Sequence, residues 1–129
     1  MGGMEYFGED SQGRKIPMEA TQRFGGSGKN PIPLEIMLAS LGGCIGVDTR
    51  YFLLQRGLSF EALKVTMAGT RRDEVPRTFE KVDVLIQIKG ALDQGVVKEV
   101  VDGVMTRFCP IAVIVGATST LGWTIEFSK

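Results

Sequence analysis

The chain of 129 residues contains no histidine. This absence excludes nucleophile pairs in which an imidazole activates serine or cysteine, and it removes the commonest protein ligand of transition metals. Cysteine is scarce too, since Cys44 and Cys109 are the two in the chain. Two cysteines cannot supply the four ligands of a structural zinc site, so we expect no metal and no cofactor. Any reactive cysteine must be activated by arginine, lysine or a helix N-terminus.

An excess of charge of either sign is also missing. Fifteen Asp and Glu balance fifteen Lys and Arg, and no basic tract is longer than the two residues of Arg71-Arg72. Such a chain has no electrostatic footprint for nucleic acid or for an anionic membrane surface. The first ten residues lack the basic and apolar segments of a signal peptide, which predicts a cytoplasmic protein. In that reducing compartment a permanent disulfide is disfavoured, and the cysteines are expected to be redox-active, catalytic or buried bystanders.

The stretch from Pro33 to Leu54 holds the longest apolar run and predicts a central helix, which Arg56 and Gly57 are expected to end. Pro33 suits the first helical position, and Glu35 puts negative charge in the first turn. Residues 36–47 include no charged side chain, which predicts a helix buried on all sides. A run of twelve residues is shorter than the roughly 20 that a bilayer requires. Three glycines at 42, 43 and 46 cost about 1 kcal/mol each, so we expect another backbone to pack closely there.

Alternation of apolar and polar residues predicts strands on both sides of this helix. They are expected at 4–9 and 14–22 as an opening hairpin, at 63–68 and 82–88 as a long antiparallel hairpin, and at 123–128 as a closing strand. Asp93 is expected to cap a second helix that continues to Phe108, and Cys109 to cap a third that begins at Pro110. Runs of strands do not alternate singly with helices, so the pattern predicts an α+β fold in one domain, 1–129.

The residues around the two cysteines predict different pKa shifts for them. At a helix N-cap, Cys109 faces free N–H groups and lies two residues from Arg107, which predicts a lowered pKa. Cys44 lies in an apolar helix with Asp48 one turn later, which predicts a raised pKa. The residues alone leave the alternative that both are buried, unreactive cysteines.

Three motifs, together with their spacing along the chain, carry a family resemblance. The run PLEIMLASLGGCIGVD at 33–48, with RFCPI at 107–111 and E-x-P-R-x-F at 74–79, resembles the OsmC/Ohr family of thiol peroxidases, most closely its small OsmC-like branch. The resemblance implies antiparallel sheets wrapped around a long central helix. It also implies an intertwined homodimer with active sites at its interface, taking part in oxidative-stress defence.

The same resemblance implies a chemistry for both cysteines. Cys44 would attack an organic hydroperoxide and become a sulfenic acid, and Cys109 would condense with it to a transient disulfide. An external dithiol would then reduce the disulfide. The family holds its thiolate with an arginine and a glutamate, for which we select Arg23, over Arg14, and Glu35. Substrate-binding residues are not identified by any motif.

Glu35 departs from the family pattern. It lies nine residues before Cys44, whereas better-characterised peroxidases have glutamate ten residues before, where Leu34 stands. On an ideal helix nine residues place Glu35 on the opposite face. A first-turn acid that stabilises the helix dipole is therefore an equal interpretation of Glu35.

Two alternative functions stay open at this point. One is a non-enzymatic dimeric module that binds a small apolar or thiol-containing ligand near Cys44, or senses oxidation without turnover. The other is a peroxidase in which Cys109 attacks first, which follows from the pKa expected for an N-cap cysteine.

Overall fold

A computed structural model describes residues 3–129. Its elements are β1 (Glu5–Glu9), β2 (Lys15–Glu19), a 3₁₀ turn (Gln22–Phe24), α1 (Pro33–Gln55), β3 (Ala62–Arg71), β4 (Phe79–Lys89), α2 (Gln94–Gly103), a π-helical turn (Val104–Phe108), α3 (Pro110–Thr118) and β5 (Thr120–Ser128). This order confirms the predicted α+β class. Two compact units divide the chain, residues 1–39 and 40–129, and the boundary falls within α1. The expectation of one domain over 1–129 stays a prediction.

The N-terminal unit is built on the predicted hairpin and on the glycine-rich loop that follows it. Strands β1 and β2 pair antiparallel, from Glu5 opposite Glu19 to Glu9 opposite Lys15. Glu19 is 2% exposed, and its carboxylate accepts hydrogen bonds from the Ser27 hydroxyl at 2.9 Å and the Gly28 N–H at 2.6 Å. A buried carboxylate thus accepts hydrogen bonds from the loop that precedes α1.

Helix α1 begins at Pro33, as predicted, and ends at Gln55, directly before the predicted end signal at Arg56 and Gly57. Gly57 follows with φ +73°, and the Leu58 N–H donates to the Leu53 carbonyl at 3.0 Å, which closes the helix C-terminus. By length and composition the 23-residue helix is long and apolar enough to cross a membrane, a property that core helices of soluble proteins share.

A three-stranded sheet, ordered β3-β4-β5, forms the C-terminal unit with its helices. Strands β3 and β4 form the predicted antiparallel hairpin. The expectation of purely antiparallel sheets is wrong for β5, which runs parallel to β4 from Thr120 opposite Lys81 to Ser128 opposite Lys89. Residues 90–119, with α2 and α3, form the crossover that a parallel connection needs, and the strand pattern alone does not reveal it.

The sheet covers only one face of α1 in the C-terminal unit. Leu41, Ile45 and Leu53 are fully buried on that helix, and the inward-facing residues of β4 are buried with them. Val47 and Tyr51, however, are 69% and 56% exposed. The prediction of a helix buried on all sides is therefore wrong for a single chain, because one sheet cannot surround a helix.

The glycines of α1 have a different explanation from the predicted close backbone. A Cβ on Gly42 would overlap the thioether of Met67 on β3, whereas a Cβ on Gly46 would meet a Val65 methyl at an ordinary 3.8 Å. Nothing lies within 4 Å of such a Cβ on Gly43. Side chains of β3, rather than a second backbone, approach this face of the helix.

Candidate active site

Cys44 is positioned by the middle of α1. Its side chain is half-buried, and Asp48 follows one helical turn later on the same face. The Cys44 thiol donates a long hydrogen bond to the Asp48 carboxylate, with Sγ 4.0 Å from Oδ2. A regular helix therefore holds a thiol and a carboxylate side by side.

Cys109 is positioned by the break between α2 and α3. Asp93 caps α2 as predicted, accepting from the Val96 N–H at 3.2 Å. After Gly103 the helix widens into the π-helical turn, closed by the Cys109 N–H donating to the Val104 carbonyl at 2.9 Å. The axis bends by 71° at this break. The widened turn ends the helix directly before the cysteine.

The N-cap position predicted for Cys109 is confirmed. Pro110 begins α3, and the Cys109 Sγ accepts a hydrogen bond from the Ala112 N–H at 3.3 Å. The side chain is fully buried. Its direction is thus fixed by a hydrogen bond and by packing.

The fold brings the two distant cysteines together. The Sγ atoms of Cys44 and Cys109 and a carboxylate oxygen of Asp48 all lie within 4.8 Å of one another. We name these three residues the thiol–carboxylate cluster. A disulfide has an S–S distance of about 2.05 Å, so the two sulfurs must close by less than about 3 Å to form one. Both cysteines are free thiols in this structure.

The expected low pKa of Cys109 is wrong. Burial withdraws the thiolate from water and, together with a hydrogen bond and the negative charge of Cys44, raises the pKa of Cys109 to about 11. The N–H groups of Ala112 and Ile111 act in the opposite direction and are outweighed. Arg107, which was expected to help lower this pKa, has its guanidinium 5.0 Å from the Phe108 ring centre. Desolvation exceeds the helix dipole at this sulfur.

Arg23 and Glu35 belong to the N-terminal unit. Arg23 lies in the 3₁₀ turn with its guanidinium 5.5 Å from the Phe24 ring centre. Glu35 stands in the first turn of α1. Arg14, the weaker candidate, pairs with Asp10 at 2.6 Å and lowers the pKa of that carboxyl. The roles assigned to Arg23 and Glu35 stay predictions.

The structure adds an aromatic group that the sequence analysis did not identify. The Phe52 and Phe108 rings contact each other with centres 4.6 Å apart, and Tyr51 meets Phe52 edge to face at 5.2 Å. The available signals were the helical spacing of Phe52 from Cys44 and the position of Phe108 directly before Cys109. These rings join α1 to the π-helical turn.

An open groove lies along α3. It has a volume of about 470 Å³ and is lined by Met105, Ala112, Val113, Leu121 and Trp123, among others. A more polar pocket of about 510 Å³ lies among Arg72, Glu80 and Ser119. Neither is lined by a cysteine, so volume alone does not locate the chemistry.

Known proteins resemble the chain in sequence and in fold. The family model described as "OsmC-like protein" matches residues 26–124. Protein YhfA of Escherichia coli K12 is 29% identical over 114 residues, which cover 87% of this chain and 81% of YhfA. An OsmC-like protein of Mycoplasma pneumoniae has a TM-score of 0.79 at 14% identity, over 97% of this chain and 96% of that one. An organic hydroperoxide resistance protein OsmC of Legionella pneumophila has a TM-score of 0.70 at 18% identity, over 100% and 93%. The chain belongs to the OsmC-like protein family.

Proposed function

We propose that this protein is a cysteine-based thiol peroxidase that reduces small organic hydroperoxides to alcohols. Membership of the OsmC-like family suggests a redox or peroxidase-related function. The observation that carries the proposal is the approach of two cysteines from distant elements to within 4.8 Å. The name of the Legionella relative, organic hydroperoxide resistance protein, supports this substrate class.

The exposure of the two thiols and the pKa of Cys109 indicate which cysteine attacks the peroxide. Cys44 is half-buried and can be reached from solvent, so it is the nucleophile that meets the peroxide. Cys109 is fully buried and, with a pKa of about 11, is a protonated thiol at neutral pH. It therefore serves as the resolving cysteine, and the reading in which Cys109 attacks first is disfavoured.

The cycle consumes one peroxide and one external dithiol. The Cys44 thiolate attacks the terminal peroxide oxygen, the O–O bond breaks, and the alkoxide leaves as an alcohol after taking up a proton. Cys109 then attacks the sulfenic sulfur, forming the Cys44–Cys109 disulfide and releasing water. An external dithiol exchanges with this disulfide and restores both thiols. No cofactor takes part in these steps.

A cation for the Cys44 thiolate is assigned to Arg23, with Glu35 as its partner. The family resemblance supports this choice, as does the ion pair that engages Arg14 with Asp10. Replacing Arg23 by alanine should slow peroxide consumption strongly, because a positive charge favours the thiolate. Replacing Arg14 by alanine is the matched control and should leave the rate nearly unchanged.

A homodimer in the cytoplasm completes the proposal. Val47, Tyr51 and Leu54 recur at helical spacing on α1 and are 69%, 56% and 49% exposed. A second copy packing on this stripe would remove its apolar surface from water. Sedimentation should give a dimer for the native chain and a monomer for Val47→Glu.

The direct experiment follows peroxide consumption by the reduced protein in a stopped-flow instrument, with cumene hydroperoxide compared with hydrogen peroxide. Fast, selective consumption of the organic peroxide and a loss of two hydrogens per chain are expected. Cys44→Ser should abolish consumption. Cys109→Ser should consume peroxide once and stop at the sulfenic acid. Full activity of Cys44→Ser would contradict the assignment.

One observation favours a non-enzymatic module that binds a small ligand, although in the groove along α3 rather than at the position near Cys44 expected from the sequence. The groove along α3 is largely apolar and is lined by neither cysteine. Saturable binding of a small apolar ligand that survives loss of both thiols would favour this function. Multiple turnovers with a dithiol would exclude it as the whole account.

A further inference from the structure

The thiol–carboxylate cluster has the dimensions of a tetrahedral metal site. A tetrahedral ion with metal–sulfur bonds of about 2.3 Å and metal–oxygen bonds of about 2.1 Å holds its ligand atoms roughly 3.6–3.8 Å apart. Here Cys44 Sγ and Asp48 Oδ2 are 4.0 Å apart, and none of the three separations exceeds 4.8 Å. Each pair must close by at most about 1.2 Å to reach metal geometry, a smaller movement than disulfide formation can require.

The elements that carry these atoms hold them in place before any ion arrives. Cys44 and Asp48 are four residues apart on one regular helix, the same spacing by which helical zinc motifs place two ligands on one face. The Cys109 sulfur is fixed by the Ala112 N–H at 3.3 Å. A hydrogen bond to a ligand atom is the usual support of a metal ligand.

The negative charge of the cluster also favours the binding of a cation. Two sulfur atoms and a carboxylate oxygen converge, and in the part of the chain that the structure describes no ion pair includes Asp48. A divalent cation among the three ligand atoms would supply a positive partner for the Asp48 carboxylate.

We propose that the reduced protein binds one thiophilic divalent cation per chain, with Zn²⁺ as the probe, through Cys44 Sγ, Cys109 Sγ and a carboxylate oxygen of Asp48. Two sulfur donors and one oxygen donor suit Zn²⁺ and not Mg²⁺ or Ca²⁺, which prefer oxygen. The ion replaces the proton of Cys109, and that of Cys44 where it is present, and no electron is transferred. Three protein ligands leave the fourth position open to water.

Metal binding and oxidation exclude each other at this cluster. A disulfide uses both sulfurs, so the oxidised protein retains only the carboxylate. Binding itself does not depend on the proposed peroxidase activity, whereas one consequence rests on it: a bound cation should block peroxide consumption until a chelator removes it. The cation would act as a reversible inhibitor that protects the reduced thiols.

The test is competition for Zn²⁺ between the reduced full-length protein and a chromophoric chelator. One equivalent per chain should bind, and Cys44→Ser, Cys109→Ser and the disulfide form should each lose at least tenfold in affinity. Asp48→Asn, which keeps both thiols and the side-chain shape, should also weaken binding tenfold or more. The matched control is Asp102→Asn, whose carboxylate accepts a hydrogen bond from Trp123 Nε1 at 2.9 Å outside the cluster. It should bind Zn²⁺ as the native chain does.

Two further measurements distinguish a failure of the metal site from a failure of the proposed peroxidase. Co²⁺ in place of Zn²⁺ should give thiolate-to-metal absorption in the native chain and lose it in Cys44→Ser, while circular dichroism confirms that each variant is folded. Equal Zn²⁺ affinity of folded Asp48→Asn and native chain would overturn the three-ligand site. Equal affinity of the disulfide form would overturn any role of the thiols. Peroxide consumption, measured on metal-free protein in parallel, reports on the peroxidase proposal alone.

Discussion

At neutral pH, Cys109 should be alkylated at least about tenfold more slowly than an unburied cysteine. The thiolate is the species that reacts, and the pKa of Cys109 is raised from 9.0 to about 11. Two pKa units lower the thiolate fraction at pH 7 by about a hundredfold. A more basic thiolate is a better nucleophile, and a Brønsted slope of about 0.4–0.5 recovers roughly sixfold to tenfold. Complete burial then adds the cost of exposing the sulfur.

The assay is a timed pulse of iodoacetamide at several pH values, followed by peptide mass spectrometry. The same protein unfolded in urea supplies the reference rate for each cysteine. Labelling of Cys109 should rise about tenfold per pH unit from pH 7 and should not level off near pH 9. Cys44, which is half-buried, should be labelled first at pH 7.

A variant separates the two causes of the raised pKa. In Cys44→Ala the hydrogen bond and the charge of the neighbouring sulfur are gone, whereas the burial of Cys109 remains. The pH profile of Cys109 labelling should therefore move to lower pH and still lie above that of the unfolded chain. Labelling of Cys109 before Cys44 at pH 7, or at the rate of the unfolded reference, would refute the reasoning and reopen a peroxidase in which Cys109 attacks.

Three stability measurements test other parts of the structure. The buried Thr49 hydroxyl has no hydrogen-bond partner among residues 3–129, so Thr49→Val should raise the free energy of unfolding in urea by about 1 kcal/mol, and a decrease would count against it. Asp93→Ala removes the acceptor of the Val96 N–H and should lower that free energy by about 1 kcal/mol, while Asp93→Asn should lose much less. Burial opposes ionisation of Glu19, but hydrogen bonds from Ser27, Asn30 and Gly28 outweigh it and lower its pKa below 4.5. The stability from this carboxylate is present above pH 4.5 and is lost as the pH falls through the lowered pKa, so Glu19→Gln should flatten the fall in Tm between about pH 5 and pH 3.

Features set by neighbouring residues were predictable from the sequence. The start of α1 at Pro33, the cap at Asp93 and the N-cap at Cys109 each depend on residues within one turn. The alternation in β3 and β4 was equally visible, since a strand with one buried face repeats every two residues. The family resemblance predicted that the two cysteines act together, and the structure places their sulfurs within 4.8 Å of each other.

Features set by distant residues were not predictable in this way. The parallel pairing of β5 depends on where the crossover through α2 and α3 returns the chain. The exposure of Val47 and Tyr51 depends on how much of α1 one sheet can cover. The pKa of Cys109 depends on desolvation by the whole packed unit, which local signals such as a helix N-terminus cannot reveal.

The same neighbour that weakens Cys109 as an acid gives the proposed cycle its order. Cys44 raises the pKa of Cys109 through a hydrogen bond and through its negative charge. When Cys44 becomes a neutral sulfenic acid, that charge disappears and the pKa of Cys109 should fall. The resolving thiol is thus hard to ionise while Cys44 awaits peroxide and easier to ionise once Cys44 is oxidised. A cation bound between the two sulfurs would remove the same repulsion without oxidation. Peroxide and metal ion would therefore compete for the same pair of sulfur atoms.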